Sequence, residues 1–163
     1  MGELKQAKSY YDHALVIILE NLGPDHIHAA STYNNLGKVH LELGNLKQAK
    51  VYYCHALTIR LCELGSEHVH VAATYGNLGN VYRKLNRLEK AKECYNCALA
   101  IRLKRLGPER VDVATTYNNL GIVHLMSGVP EKAKECCFDR ALAINLEKLG
   151  SDRVHVAATY NNL

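Results

Sequence analysis

Residues 71–107 read VAATYGNLGNVYRKLNRLEKAKECYNCALAIRLKRLG, and the spacing of the apolar residues in this stretch decides the fold. Val71, Thr74, Tyr75, Leu78, Val81, Tyr82 and Leu85 recur at helical intervals and make one apolar stripe. After Asn86-Arg87 a second stripe begins, built from Leu88, Ala91, Tyr95, Ala98, Leu99, Ile101 and Leu103. It stops at Leu106-Gly107, where glycine suits the left-handed position past a helix C-terminus, and Pro108 cannot continue the helix. The stretch is therefore a pair of amphipathic helices, A and B, joined by a tight turn.

The pair repeats in both directions. Leu-Gly recurs at Leu22-Gly23, Leu64-Gly65, Leu106-Gly107 and Leu149-Gly150, steps of 42, 42 and 43, and Tyr33, Tyr75, Tyr117 and Tyr160 keep those steps. Residues 44–85 and 86–127 share 21 identities in 42 positions. Helix pairs at a fixed period cannot bury a core singly and must stack into an all-α solenoid. Small residues recur where helices cross closely: Gly37, Gly79 and Gly121 in helix A, then Ala49, Ala91, Ala133 and Ala56, Ala98, Ala141 in helix B. A glycine inside a helix costs ~1 kcal/mol against alanine, so its presence at one register three times implies close packing there. The expected organisation is one array over 1–163: a lone helix B at 2–27, repeats at 28–69, 70–111 and 112–154, and a partial helix A at 155–163.

Composition narrows the function classes. With 48% apolar and 22% charged residues, the 163-residue chain has globular make-up, and no stretch approaches the ~18 consecutive apolar residues of a membrane span. The opening MGELKQAKSYYD is a charged amphipathic run and not a leader. A net charge of +4 and a pI of 8.7 argue against a nucleic-acid reader, which more often carries a concentrated basic face and a pI above about 9. The six cysteines do not keep one spacing from repeat to repeat, so reduced thiols in a soluble, cytoplasmic protein are expected.

The series Tyr75, Leu78, Gly79, Tyr82, Ala91, Tyr95, Ala98 resembles the tetratricopeptide consensus, in which an aromatic, a Leu-Gly pair and a tyrosine on helix A face alanine, aromatic and alanine on helix B. The 42-residue unit, its longer second helix, the LG(P)-x-x-x-x-VA connection and the NNL triplet resemble the kinesin light chain type of that repeat. The resemblance spans the whole chain and implies a right-handed superhelix that binds protein or peptide partners, without cofactor or catalysis.

In such arrays helix A lines the concave groove. The exposed face of helix B carries Glu89, Lys90, Lys92, Glu93, Arg102 and Lys104, as a merely solvated face does, whereas helix A carries amides, although asparagine is a poorer helix former. An amide both donates and accepts, so a ladder of amides can satisfy an extended peptide backbone. The expected groove is built on Asn35, Asn77 and Asn119, with Asn34, Asn118, Lys38, Asn80 and Lys84 beside them. Alternatively, these amides bond the neighbouring repeat. The Lys/Arg clamp by which some relatives grip a C-terminal carboxylate is missing, since Ser31, Ala73 and Thr115 occupy its positions. Arg83 and Lys84 offer positive charge to an acidic side chain, or simply complement a helix C-terminus.

No residue set suggests chemistry. Cys94-x-x-Cys97 puts two thiols on one side of helix B but lacks two further zinc ligands, so packing is expected there, and adjacent Cys136 and Cys137 point apart. The pairs His26/His28 and His68/His70 fall at helix starts a repeat apart and do not converge on one metal ion. No phosphate loop or nucleophile triad is present.

Two irregularities remain. Ala133 to Ala141 spans eight residues where Ala49 to Ala56 and Ala91 to Ala98 span seven, so one residue is inserted, expected near 137–140. An extra residue turns everything after it by ~100° unless a π-bulge absorbs it, and Phe138 is expected to fill core space there. Secondly, Ala7, Tyr11 and Ala14 on the first helix B and Val156, Tyr160 and Leu163 on the last partial helix A are complementary halves of a repeat, which suggests head-to-tail self-association as a rival function.

Overall fold

The computed structural model describes residues 2–149 together with 157, 159 and 161. These residues form helices α1 (Gly2–Leu22), α2 (Ile27–Glu42), α3 (Leu46–Leu64), α4 (Val69–Lys84), α5 (Leu88–Leu106), α6 (Val111–Met126), α7 (Pro130–Ala133) and α8 (Asp139–Leu149). A π-helical turn, Lys134–Phe138, carries α7 into α8. No strand occurs among the described residues. Helices α2, α4 and α6 are the A helices, and α1, α3, α5 and the composite α7–α8 are the B helices. Each packs on its neighbours in sequence, and α2 also touches α4 as α4 touches α6, so the A helices lie side by side in a right-handed α-solenoid.

The turns have a backbone reason. Each complete B helix ends on a glycine at positive φ, 80° at Gly65 and 83° at Gly107, which a Cβ would strain. The A-to-B turns need the same region, at Gly44 (φ 78°), Asn86 (φ 55°) and Gly128 (φ 74°), and Asn86 holds it as the non-glycine residue that tolerates it best.

Within each repeat an aromatic ring of helix B lies directly against a glycine of helix A. A Cβ built on Gly37 would come within 2.7 Å of the Tyr53 ring, one on Gly79 within 2.5 Å of Tyr95, and one on Gly121 within 2.3 Å of Phe138. The rings are fully enclosed, with Tyr53 1%, Tyr95 0% and Phe138 1% exposed. The cores then run on between repeats. Ala49 and Tyr53 of α3 pack with Leu78 and Val81 of α4, and Ala91 and Tyr95 of α5 pack with Leu120 and Val123 of α6 and with Cys137. Burial of Tyr53 and of Tyr95 thus holds two consecutive repeats together.

The π turn keeps this contact in the last repeat. Ala49 to Tyr53 and Ala91 to Tyr95 are four residues, and Ala133 to Phe138 is five, which is the π interval. The π turn Lys134–Phe138 takes up the extra residue and overlaps the 137–140 stretch named from the sequence at Cys137 and Phe138. Beyond it Ala141 is back at 0% exposure on the core face.

Two outcomes follow from this packing. Gly79→Ala, which helix propensity alone would favour, is expected to lower stability by about 1–3 kcal/mol in urea unfolding, because the Tyr95 ring fills the space the methyl needs. Deleting Cys136 restores the four-residue interval; the variant is expected to keep its helical circular dichroism, with Tm within a few degrees of the parent, whereas a collapse of Tm would show that the π turn carries more than register.

Candidate peptide-binding surface

The amides of the A helices fall into two groups. Asn77 Nδ2 donates to Asn34 Oδ1 at 3.1 Å, across the 43-residue step between α4 and α2, and Asn80 Oδ1 accepts from the Tyr95 hydroxyl at 2.7 Å. These three serve the scaffold. Asn35 and Asn119 are half-buried and have no side-chain hydrogen bond among the described residues, while Asn118, also half-buried, is engaged within the fold. Lys38 is exposed and 4.0 Å from Glu42, and Lys84 is exposed with no ion pair among the described residues. Arg83 is half-buried with its Nε unpartnered, close to the Tyr95 hydroxyl. At the clamp positions, the Ser31 and Thr115 hydroxyls are spent on their own helix, donating to Ile27 and Val111 carbonyls.

A polar joint that sequence reading missed ties helix B to the next helix A at the α3–α4 and α5–α6 boundaries. Arg60 of α3 is 6% exposed and donates through Nη1 to the His70 carbonyl (3.1 Å) and the Thr74 hydroxyl (2.6 Å) of α4. Arg102 does the same one repeat on, to the Asp112 carbonyl at 3.1 Å and to Thr116 of α6, and Asn145 of α8 reaches the Thr159 hydroxyl at 3.4 Å. Arg102 is therefore not part of a solvated face: it ties helix B to the next helix A. The joints are flanked by ion pairs from a connection to the end of the next helix B, Glu67 with Lys104 and Arg105 and Glu109 with Lys148. Hydrogen bonding from Lys104 holds the Glu67 carboxyl below its ordinary range. The legible signal was an arginine on helix B followed, fourteen residues on, by a threonine of the next helix A, twice over.

The tetratricopeptide repeat profile matches residues 1–61 and 70–136. The chain belongs to the tetratricopeptide repeat family. Among solved structures it is similar to BtubC (BKLC) from P. vanneervenii, at 33% identity and a TM-score of 0.83 over 91% of this chain and 59% of that one. The chain thus spans about three-fifths of the length of BtubC. It is also similar to a putative kinesin light chain of Podosopora anserina with nearly identical TPR-like repeats, at 20% identity and a TM-score of 0.82 over 99% of this chain and 76% of that one, a likeness of fold. A single-substitution variant of that protein gives a TM-score of 0.83. No curated protein matches the chain. The solved neighbours are thus kinesin light chain-like tetratricopeptide proteins, and repeats of this family generally mediate protein–protein interaction.

In this tetratricopeptide array the histidines of the connections are caps. His26 Nδ1 accepts from the His28 amide and His68 Nδ1 from the His70 amide, each at 3.2 Å, so each opens a helix A. No group of three or more His, Cys, Asp or Glu among the described residues could hold a metal. Nor is any described helix long and apolar enough to cross a membrane. The cysteines divide: burial pushes the Cys94 and Cys137 thiols up to about 11, which leaves them protonated and inert, while Cys54, Cys62, Cys97 and Cys136 are exposed. Packing thus accounts for Cys94 and not for Cys97.

Burial lowers the pKa of His40, His70 and His124, helped by Lys8 at His40, Arg60 at His70 and Lys92 at His124. The folded chain holds these rings neutral where the unfolded chain begins to protonate them, so the stability they contribute is complete above about pH 6.5 and is lost as pH falls from there toward their folded values. Tm measured from pH 7.5 to 5 is expected to decline, and His40→Tyr, which installs the residue of the next register, Tyr82, is expected to flatten the decline.

Proposed function

We propose that the chain is a non-catalytic interaction module that binds an extended or short helical peptide segment in the concave groove of its A helices. The observation that carries this reading is the state of Asn35 and Asn119. Both are half-buried at the same helix-A register and neither side chain has a partner among the described residues, so both amides are left for water or a ligand. An amide at each of these places offers a donor and an acceptor to a peptide backbone. Between them Asn77 is oriented by its bond to Asn34, which leaves its carbonyl oxygen to accept. Asn118, Asn80, Lys38 and Lys84 border the same surface, and the two lysines favour acidic residues toward the end of a ligand. The four exposed thiols fit a reducing cytoplasm. The reading assigns the module no cofactor, metal, nucleic acid or membrane.

A second reading, head-to-tail self-association, rests on the apolar surface of α1, where Tyr10, Val16, Ile17 and Leu22 are 66%, 53%, 60% and 50% exposed. Ala7, Tyr11 and Ala14 are half-buried and less available than these, and Val156, Tyr160 and Leu163 lie outside the described residues.

Peptide display on the parent chain and on Asn35→Ala/Asn119→Ala separates the two. The parent is expected to enrich a consensus peptide whose affinity drops about tenfold in the double variant at unchanged circular dichroism, the loss of two hydrogen bonds of roughly 0.5–1.5 kcal/mol each. Equal enrichment by both proteins would remove the groove. A sedimentation mass that rises with concentration and falls back in Ile17→Glu would favour association.

A further inference from the structure

Apart from the A-helix amides, unpaired positive charge collects where α2 turns into α3 and α4 into α5. Lys47, Lys50, Arg87 and Lys90 have no ion pair among the described residues, whereas Lys8 beside them is held by Asp12 at 2.6 Å. Two adjoining cavities, of about 690 and 370 Å³, are lined by these cations and share Lys47. Each is walled by consecutive B helices, α1 with α3 and α3 with α5, and floored by the end of the A helix between them. No carboxylate lines either.

The larger cavity has an unsatisfied floor. His40 is 7% exposed, lines the cavity beside Tyr52, and neither of its ring nitrogens has a hydrogen-bond partner among the described residues. Either neutral tautomer carries one N–H, and a buried donor with no acceptor is costly, so His40 leaves an unmet hydrogen-bonding group beneath the cavity. At the rim the amide N–H groups of Lys47 and Gln48, at the start of α3, meet no acceptor among the described residues, and Asn45 makes no side-chain cap there. The smaller cavity repeats the arrangement one register on: Lys50 stands where Lys8 does, Tyr82 where His40 does, and Arg87 and Lys90 replace Asn45 and Gln48.

The walls decide the class of anion. Tyr52 in one cavity and Val51, Tyr82 and Leu85 in the other give each pocket an apolar side that suits amino-acid side chains. A duplex presents its phosphates on a surface too broad to reach a buried imidazole, and the net charge of +4 is small for such a partner. We propose that this double cavity is a second ligand site, distinct from the A-helix groove, that takes an acidic peptide segment whose carboxylates meet Lys47, Lys50, Arg87 and Lys90, one of them reaching His40.

The test uses the whole chain and a short fluorescein-labelled peptide of alternating glutamate and leucine, read by fluorescence anisotropy at low salt, where exposed charges are least screened. Saturable binding is expected. It should weaken about tenfold in Lys47→Gln/Lys50→Gln/Lys90→Gln, weaken in His40→Tyr, and stay unchanged in Asn35→Ala/Asn119→Ala. Should the triple variant lose helicity, the exposed pair Lys47→Gln/Lys90→Gln gives the same reading. Equal binding of a glutamine-for-glutamate peptide, parent-like affinity in the lysine variants, or loss of binding only in the asparagine variant would overturn the site. Parent-like affinity in His40→Tyr would remove His40 from it. Tighter binding of a short DNA duplex or of phosphatidylserine vesicles, lost in the lysine variants, would overturn the peptide as occupant.

Discussion

An aromatic ring lying where a helix-A Cβ would otherwise be sets the distance between the two helices of every repeat. Because Gly37, Gly79 and Gly121 admit Tyr53, Tyr95 and Phe138 so closely, the helices approach more nearly than alanine would permit, and Tyr53 and Tyr95 also pack against the next repeat. The rest of the solenoid is arranged to preserve this contact. In the last repeat the backbone gives up regular α-helical bonding over Lys134–Phe138 so that a ring still arrives opposite Gly121. A single π turn costs little beside an empty ring-sized cavity, which by the measure of large-to-small core changes is worth several kcal/mol.

The boundary between repeats is held differently at its two sides. Toward one side lie Arg60, buried, and Arg102, half-buried, whose guanidinium groups donate to a carbonyl and a hydroxyl, with ion pairs outside them. Toward the other lie amides, one pair of which also crosses the boundary. Directional bonds on both flanks of an apolar seam fix the angle at which one repeat follows the next, which nonspecific burial alone does not. The curvature of any surface formed by the A helices therefore depends on residues such as Arg60 and Thr74 that never face it.

Much of this was legible in the sequence, for reasons that can be named. The helical stripes and terminal glycines are local signals, and a glycine in mid-helix is visible because it works against helix propensity, so Gly79 announced a close contact before its partner was known. The eight-residue interval from Ala133 to Ala141 announced an extra residue, but the two alanines only bracket it; its place follows from which side chain fills the ring position, a tertiary fact. Arg102 was illegible because an arginine on the polar side of a helix looks the same whether it meets water or the next repeat's carbonyl. The amides were half legible: their register was plain, and their division into bonded Asn34, Asn77 and Asn80 and unbonded Asn35 and Asn119 depends on distances between helices that no single repeat encodes.

The Tyr95 hydroxyl and Asn80 form a matched set within one repeat, and in the next the ring is Phe138, with no hydroxyl, while the register of Asn80 holds Ile122. Polar is met by polar in one unit and apolar by apolar in the other. Arrays of this kind grow and diversify by exchanging segments between near-identical units, and this complementarity sets where a crossover does no harm. A junction in the connection from helix B to the next helix A passes each set on whole. One in the turn from helix A to helix B would set the tyrosine hydroxyl against isoleucine, or the amide against a phenyl edge. For these two units, helix A and its own helix B are therefore best passed on together.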